Sequence, residues 1–245
     1  MLTFLLNIFY VLFFLVTSTF FITVALVIKL FTFLFDKRLV WVHRWASVWA
    51  SFYLWLLPGW KVEAAGRDKI DPSATYVVVS NHQSMVDIML GYRLFFHFKW
   101  VAKAELLKVP FIGWNMMLNR YVFVKRGDRK SILDMMKEAE THLRSGSSVY
   151  IFPEGTRSET GEVGKFKSGA FTLAKRVGLP VLPIALSGSA STLPKGQYWL
   201  EGRHNMKVEA LDPIPASEVA ALSTKELADR ARNAILEAMV PVVKG

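Results

Sequence analysis

The chain contains no cysteine among its 245 residues, and this absence excludes several kinds of chemistry. Disulfide bonds, cysteine-ligated zinc and a cysteine acyl-enzyme all require a thiol. The sequence also has no G-x-S-x-G elbow to present a serine nucleophile, and no G-x-G-x-x-G. Gly164 and Gly169 have the spacing of a P-loop, but Ala170 and Phe171 follow them instead of Lys and Ser or Thr. A standard P-loop is therefore excluded.

Charged residues are absent from the first 28 positions, and the first in the chain is Lys29. A helix of this length would extend about 42 Å, whereas the hydrocarbon core of a bilayer is about 30 Å thick. A signal peptide would have a basic start, a shorter apolar core and a small-residue cleavage site, which are not present. We expect membrane insertion, as a tilted span or as a re-entrant helix pair, with the polar cluster 17–19 as a kink or hairpin tip.

The basic residues nearest to the apolar run all follow it: they are Lys29, Lys37, Arg38 and Arg44. By the positive-inside tendency, the rest of the chain lies on the cytoplasmic face, which for a bacterial protein is that face of the inner membrane. The net charge of +10 favours an anionic partner. Because the N-terminus is apolar, we expect an anionic leaflet, an acidic carrier protein or an acidic substrate, and no nucleic acid.

Tryptophan is concentrated after the apolar run, with five of the eight residues at positions 39–60. Trp41, Trp45 and Trp49 recur on one helical face, and indole rings favour the headgroup level of a bilayer. A core helix of a soluble domain is the alternative, but the uncharged run before it favours the membrane. We assign residues 1–60 to N-terminal membrane-anchoring helices and residues 61–245 to one globular domain.

Short β-rich runs alternate with helical patterns from about Lys61 onward. The predicted strands are 75–80, 99–102, 121–124, 148–152, 181–186 and 206–211. The predicted helices are 131–143, 168–177 and one from Ser223, where S-x-x-E forms a capping box. This alternation predicts an α/β domain with a largely parallel or mixed sheet covered by helices on both faces. In such sheets, ligands bind beyond the carboxyl ends of the strands.

Polar clusters follow four of the predicted strands and would share one rim: 81–83, Lys103, 125–127 and 153–157. In the first, His82 precedes Asp87 by five residues, which would separate the two side chains on a continuous helix. If the helix begins at Ser84, Asp87 lies in its first turn and reaches back to the imidazole. A His held by a carboxylate commonly takes a proton from a hydroxyl. Ser84-x-x-Asp87 is also a capping pair, and for this pair in isolation capping is the favoured interpretation.

The segment F-P-E-G-T-R-S, residues 152–158, places a Pro and a Gly directly after an apolar strand. These residues force a sharp turn that projects Glu154, Thr156 and Arg157 at the rim. A guanidinium offers a planar fork suited to phosphate. A lone Arg in such a turn would be an ordinary solvated side chain. Other basic residues at neighbouring predicted positions favour an anion site: Lys103, Arg126, Lys165 and Lys167.

Four blocks in this order resemble the signature of the glycerolipid acyltransferase family: N-H-Q-S-M-V-D, V-F-V-K-R, F-P-E-G-T-R-S and L-P-V-L-P-I-A-L-S-G. They cover about residues 81–188 and look most like the bacterial 1-acyl-sn-glycerol-3-phosphate acyltransferases. Two long blocks in the right order are much more specific than either block alone.

The resemblance implies His82 as general base and Asp87 as its partner. The implied substrate-binding residues are Arg126 and Arg157 at the acceptor phosphate, Glu154, Gly155 and Thr156 around the acceptor, and Lys103 at a basic position common in the family. Pro183 falls in the fourth block, which is similar to the acyl-donor side of relatives. The residues 61–245 would then be the acyltransferase catalytic domain.

The implied reaction moves a fatty acyl group from acyl carrier protein or coenzyme A to the free sn-2 hydroxyl of lysophosphatidate, giving phosphatidate. No metal or other cofactor is implied. Another acceptor is the alternative within the class, such as a lyso-ornithine lipid, glycerol 3-phosphate or another lysophospholipid. A membrane-anchored lipid hydrolase would need a nucleophile motif, and an anionic-lipid binding module would not need His82 and Asp87.

Overall fold

The structure is a computed structural model that describes residues 2–158, 160–192 and 202–239. Within these residues, seven strands form one sheet: β1 (Trp60–Ala65), β2 (Val77–Ser80), β3 (Phe98–Lys103), β4 (Val122–Val124), β5 (Ser148–Ile151), β6 (Val181–Ser187) and β7 (His204–Ala210). The helices are α1 (Leu2–Thr32), α2 (Val40–Leu56), α3 (Val86–Tyr92), α4 (Ile112–Leu118), α5 (Arg129–Arg144), α6 (Gly169–Val177), α7 (Ala216–Ala221) and α8 (Thr224–Ala238). Short 3₁₀ turns cover Arg67–Lys69 and Ala104–Lys108.

Helix α1 is continuous through the polar cluster in its middle. The Thr17 hydroxyl donates to the carbonyl of Phe13 at 2.7 Å, and Thr19 bonds back to Leu15 in the same way. Back-bonding of this kind satisfies the hydroxyl without breaking the helix. The prediction of a hairpin tip at 17–19 is therefore wrong, and the part Ile8–Thr32 is long and apolar enough to cross a membrane.

Helices α1 and α2 pack as an antiparallel pair, joined by a turn in which Asp36 caps α2 through two backbone N–H bonds of 2.9 Å. Phe21 stacks on Trp49 with ring centroids 5.4 Å apart, and the indole of Trp45 donates to the Phe21 carbonyl at 2.8 Å. Trp41 remains 51% exposed. Trp45 and Trp49 therefore pack against α1, while Trp41 is exposed, and the position of these indoles at the headgroup level stays a prediction.

The sheet has the order β1-β7-β6-β2-β5-β3-β4. Strands β2 to β6 run parallel to one another, whereas β7 is antiparallel to β6 and β1 pairs parallel with β7. This confirms the predicted mixed sheet, although β1 was not predicted. One face packs against α2 and α3, and the opposite face packs against α5, α6, α7 and α8. The sheet therefore presents the carboxyl ends of its five parallel strands at one edge.

Side-chain caps set the starts of two helices, and α5 begins at Arg129, two residues before the predicted start. Asp128 caps α5 by accepting N–H bonds from Lys130 and Ser131. Ser223 and Glu226 form the predicted capping box of α8, with bonds of 3.2 and 2.8 Å. These caps fix the helices that cover the second face of the sheet.

Candidate functional site

The candidate site lies at the carboxyl edge of the parallel strands, as the sequence predicts. His82 lies just beyond β2, the turn 153–157 beyond β5, Lys103 at the end of β3, and Arg126 beyond β4. All four predicted clusters therefore reach the same edge because β2, β5, β3 and β4 are neighbours in the sheet. Parallel strands with crossover helices produce this arrangement from segments far apart in sequence.

His82 and Asp87 form a buried pair. The imidazole Nδ1 lies 2.9 Å from Asp87 Oδ2, and His82 is 6% exposed while Asp87 is fully buried. Helix α3 begins at Val86 rather than at the predicted Ser84, and Asp87 lies in its first turn. The carboxylate can reach back to the imidazole because His82 precedes the helix.

The carboxylate of Asp87 also organises the backbone in front of the helix. Its Oδ2 accepts N–H bonds from Gln83 at 2.6 Å and from Ser84 at 2.7 Å, in addition to the contact with His82. The capping interpretation and the imidazole-holding interpretation therefore both apply to one oxygen atom. The shape of the loop 82–84 and the orientation of the His82 ring therefore both depend on the Asp87 carboxylate.

The ring of His82 lies flat on Phe152. The two rings are 3.9 Å apart at their centroids and 16° from parallel, and Trp100 stacks behind Phe152 at 5.5 Å. The ring therefore has one fixed plane, with Nδ1 directed at Asp87. Among the described residues, none forms a hydrogen bond with Nε2. This nitrogen is the position from which a proton can be exchanged with a bound molecule.

Glu154 supports this arrangement from the neighbouring loop. Its carboxylate accepts an N–H bond from the backbone of His82 at 2.7 Å and another from Gly164 at 2.8 Å. Burial raises the pKa of the Glu154 carboxyl, and the bonds from Gly164 and His82 act in the opposite direction. The buried Glu154 side chain therefore joins the turn after β5 to the loop that carries His82 and to the loop at Gly164.

Further contacts fix the loop that carries His82. The amide of Asn81 donates to the Leu186 carbonyl at 2.8 Å and accepts from the Leu186 N–H at 2.9 Å. The side chain of Gln83 donates to the carbonyl of Gly161. The backbone N–H of Ser158 donates to the His82 carbonyl at 2.9 Å. These bonds tie the loop after β2 to β6 and to the turn after β5.

Arg126 and Arg157 interact electrostatically across the rim. Partial burial lowers the pKa of Arg126, the Glu105 carboxylate raises it and the charge of Arg157 lowers it further. Arg157 is half-buried and makes no hydrogen bond or ion pair with any other described residue. Two like charges held together without a full set of partners favour an anionic ligand.

Lys103 differs from these two arginines because its charge is already compensated. Its amino group lies 3.5 Å from a carboxylate oxygen of Glu105, and both side chains are largely exposed. Lys167 instead lies over the turn after β5, where a Cβ added to Gly155 would be 2.6 Å from Nζ. Gly155 has φ +74°, which favours glycine, and Thr156 is exposed. The turn thus places backbone and hydroxyl groups beside basic side chains.

Pro183 lies inside β6, opposite Val79 of β2, and is buried. It does not reach the carboxyl edge, because four more residues of β6 follow it. Among the described residues, no three His, Asp or Glu side chains come together as possible metal ligands. The side chains gathered at the rim are suited to proton transfer and anion binding.

Several supporting residues have no signal in the sequence. The platform under His82 is Phe152, which reads as the last residue of an apolar strand. Arg232 of α8 donates to the carbonyls of Gly164 and Val163 at 2.8 and 2.7 Å, and so anchors the loop bound by Glu154. A distant arginine on an amphipathic helix gives no indication of this role.

A family model described as Acyltransferase matches residues 61–187. The chain belongs to the acyltransferase family. It is 36% identical over 226 residues to the chloroplastic 1-acyl-sn-glycerol-3-phosphate acyltransferase LPAT1 of Arabidopsis thaliana, covering 91% of this chain and 62% of that protein. It is 38% identical over 155 residues to the 1-acyl-sn-glycerol-3-phosphate acyltransferase of Pseudomonas aeruginosa, covering 62% of this chain and 57% of the relative. The chain thus spans about three fifths of the length of these curated relatives.

The fold of this acyltransferase-family chain is that of a solved structure. The crystal structure of the 1-acyl-sn-glycerophosphate acyltransferase PlsC from Thermotoga maritima superposes with a TM-score of 0.73. The match covers 95% of each chain at 24% sequence identity. The N-terminal helices are included in this coverage, so the similarity extends over the whole architecture.

Proposed function

We propose that the protein transfers a fatty acyl group from a thioester donor to the free sn-2 hydroxyl of lysophosphatidate, forming phosphatidate. The observation that carries the proposal is the His82–Asp87 pair, whose Nε2 forms no hydrogen bond with another described residue, at the same sheet edge as two arginines. A general base next to an anion site fits an acceptor that has both a hydroxyl and a phosphate. The family and the relatives named above support the same activity.

In the proposed reaction, His82 Nε2 takes the proton of the acceptor hydroxyl while the hydroxyl oxygen attacks the thioester carbonyl carbon. Asp87 stabilises the imidazolium that forms. Collapse of the tetrahedral intermediate breaks the C–S bond, and the imidazolium returns the proton to the departing thiolate. No acyl-enzyme is required, which agrees with the absence of cysteine and of a serine elbow.

Arg157 and Arg126 would hold the acceptor phosphate. Arg157 is the stronger candidate because it forms no hydrogen bond or ion pair with another described residue. The charge of Arg126, by contrast, already interacts with the Glu105 carboxylate. Lys103 contributes less in this proposal, since Glu105 already compensates it. Gly155 and Thr156 would line the acceptor beside Arg157, and Glu154 would shape that region through the backbone that it binds.

We further propose that residues 1–60 anchor the chain and residues 61–245 form the catalytic domain. In a bacterium, this arrangement would place the domain on the cytoplasmic face of the inner membrane. The apolar helix α1 supports attachment. The donor would be acyl carrier protein or coenzyme A, and the +10 net charge suits either anionic carrier. Attachment serves the reaction because the acceptor is itself a membrane lipid.

The decisive experiment is a transfer assay on the purified full chain with a panel of acceptors. The panel contains lysophosphatidate, glycerol 3-phosphate, a lyso-ornithine lipid and other lysophospholipids, each with acyl carrier protein or coenzyme A thioester. We expect the highest kcat/KM for lysophosphatidate and no lipid turnover without donor. A higher kcat/KM for another acceptor would overturn the acceptor assignment, and donor-independent release of fatty acid would indicate a hydrolase.

A further inference from the structure

We propose that the segment 108–120, which contains α4, is a second lipid-contacting surface that lies on an anionic bilayer beside α1. The inference rests on the membrane attachment proposed above and adds a site within the catalytic domain. This segment connects β3 to β4, and nothing in its sequence resembles the catalytic blocks.

The segment has an unusual distribution of charge. Residues 109–119 include no Asp, Glu, Lys or Arg, and exposed cations flank them at Lys108 and Arg120. An apolar stretch between two basic residues is typical of elements that insert at the interface of a membrane. The long basic side chains can extend to phosphate groups while the apolar residues enter the bilayer.

Three large apolar side chains of helix α4, and Val109 just before it, are exposed. The exposed fractions are 38% for Val109, 44% for Ile112, 47% for Trp114 and 50% for Met117. Met116 and Asn115 are buried on the inner side of the same helix. A helix on a water-facing surface would have mainly polar residues on its outer face. Contiguous exposed apolar residues of this kind mark an interaction surface.

This surface continues onto α1 without a break. Phe111 packs edge-on against Phe14 of α1, with ring centroids 6.2 Å apart, and against Trp114 at 5.1 Å. At the other end of α4, Leu118 packs against a cluster that includes Ala25 of α1. Helix α4 therefore runs alongside the middle of the apolar helix. A bilayer that receives the exposed face of α1 also meets α4.

The charges and the indole identify the occupant as a lipid interface. Trp114 lies at the exposed centre of the segment, and indole rings favour the headgroup level. Lys108 and Arg120 provide positive charge at both ends, which matches an anionic leaflet. A protein partner would need complementary shape and polar contacts, and the exposed atoms of α4 offer mainly side-chain carbon.

The surface is fixed relative to the candidate site. A Cβ added to Gly113 would lie 2.3 Å from the carbonyl oxygen of Leu107, so α4 packs directly on the 3₁₀ turn Ala104–Lys108. That turn follows Lys103 at the end of β3 without an intervening residue. Contact of α4 with lipid would therefore hold the site rim close to the leaflet that contains the acceptor.

The cysteine-free chain permits a direct test. A single cysteine is introduced by Met117→Cys, labelled with a polarity-sensitive fluorophore and reconstituted as the full chain into phosphatidylcholine vesicles with phosphatidylglycerol. Phe20→Cys, on the exposed face of α1, reports membrane attachment itself. Leu236→Cys, 39% exposed on α8, is the matched control for an exposed apolar residue far from this surface. Quenching by brominated lipid and by aqueous iodide is measured at each position.

We expect probes at 117 and 20 to be quenched severalfold more by brominated lipid than the probe at 236, with the reverse order for iodide. If the probe at position 20 contacts lipid but the probe at position 117 is as accessible to iodide as the probe at 236, the inference is overturned. The proposal that α1 attaches the chain to the membrane would then remain intact. Water access at all three positions would overturn both. Acyl transfer by the labelled proteins is measured separately, so loss of activity is not confused with loss of lipid contact.

The role of the flanking charges is tested in the same labelled background. Lys108→Gln with Arg120→Gln should weaken the dependence of lipid quenching at 117 on phosphatidylglycerol, because each cation contributes about fivefold to binding an anionic leaflet. Lys225→Gln on α8 is the control and should retain the dependence. An unchanged dependence in the double variant would contradict the assignment of an anionic lipid.

Discussion

The backbone N–H of His82 donates a 2.7 Å hydrogen bond to the carboxylate of Glu154, which belongs to the loop after a different strand. Glu154, which the sequence places beside the acceptor, is therefore a buried hydrogen-bond partner of the loop that carries His82, the proposed base. Removing its charge should displace the imidazole more than it weakens acceptor binding.

Glu154→Gln should therefore lower kcat about tenfold or more with a smaller change in acceptor KM. The physical reason is that an amide replaces one of two charged oxygen acceptors, and a hydrogen bond to a charged group contributes about 1.5–3 kcal/mol. Steady-state kinetics with each substrate varied in turn give the measurement. Thermal unfolding provides the control for folding. A raised acceptor KM with unchanged kcat would indicate direct contact with the acceptor instead.

His82→Ala should reduce turnover by about 10² to 10⁴, because a general base typically contributes that factor. Asp87→Asn should also lose most turnover, but with less damage to the loop than Asp87→Ala, since one amide oxygen can still accept the N–H bonds of residues 83 and 84. Turnover and thermal unfolding of the three variants are compared. Near-normal turnover in folded His82→Ala protein would contradict the mechanism.

Arg157→Ala should raise the acceptor KM by about 10- to 100-fold, because its guanidinium can form two charge-assisted bonds with a phosphate. Arg157→Lys should retain part of the binding as a point charge. Lys103→Ala should have a smaller effect than either, because Glu105 compensates Lys103. Arg176→Ala, at a surface ion pair with Glu140, is the control for loss of an arginine. If Arg157→Ala changed only the donor KM, Arg157 would belong to the donor-binding site rather than to the phosphate site of the acceptor.

A buried lysine far from the rim gives a prediction about pH. Lys99 is 1% exposed, and its amino group donates to the carbonyls of Arg38 and Asn119 at 2.8 and 2.7 Å. Burial lowers the pKa of Lys99 to about 7, the charge of Asp36 acts in the opposite direction and that of Arg120 adds to the lowering. The unfolded chain, with the ordinary pKa of 10.5, binds more protons between these values.

The stability contributed by Lys99 should therefore rise with pH from about 7 to about 10.5 and be lost as pH falls through the folded pKa. Lys99→Met removes the donor to the carbonyls of Arg38 and Asn119 at every pH, and it also removes the titration. The difference in Tm between wild type and Lys99→Met should widen toward high pH when measured in detergent. Lys225→Met on α8 is the control. A difference that does not vary with pH would contradict a titrating Lys99.

The rim was predictable because four of its parts follow apolar runs that read as parallel strands. The pair His82 and Asp87 was predictable for the same reason, once a helix start was placed between the two residues. Helix α3 starts at Val86, two residues later than predicted, so Ser84 and Met85 lie outside the regular helix. Boundaries shift in this way when side chains bond to the backbone before the helix.

Two features were not predicted, for different reasons. Strand β1 reads W-K-V-E-A-A, and its first five residues alternate between half-buried apolar and exposed charged side chains, so a strand pattern was present in the sequence. Its parallel pairing with β7, which lies far away in the chain, leaves no local pattern. Thr17 in α1 reads as a possible break, but its hydroxyl meets both the Phe13 carbonyl and the hydroxyl of Tyr53 in α2.

The pairing of β1 with β7 also sets an order of events during synthesis. Trp60 pairs with His204, so the partner of the first strand is made roughly 140 residues later. At about 5–20 residues per second, a ribosome needs roughly 7 to 30 s to cover that distance. Helices α1 and α2 are complete before this interval begins. With the anchoring proposed above, the nascent chain would reach the lipid first and close its sheet last, with the edge of β1 open for the whole delay.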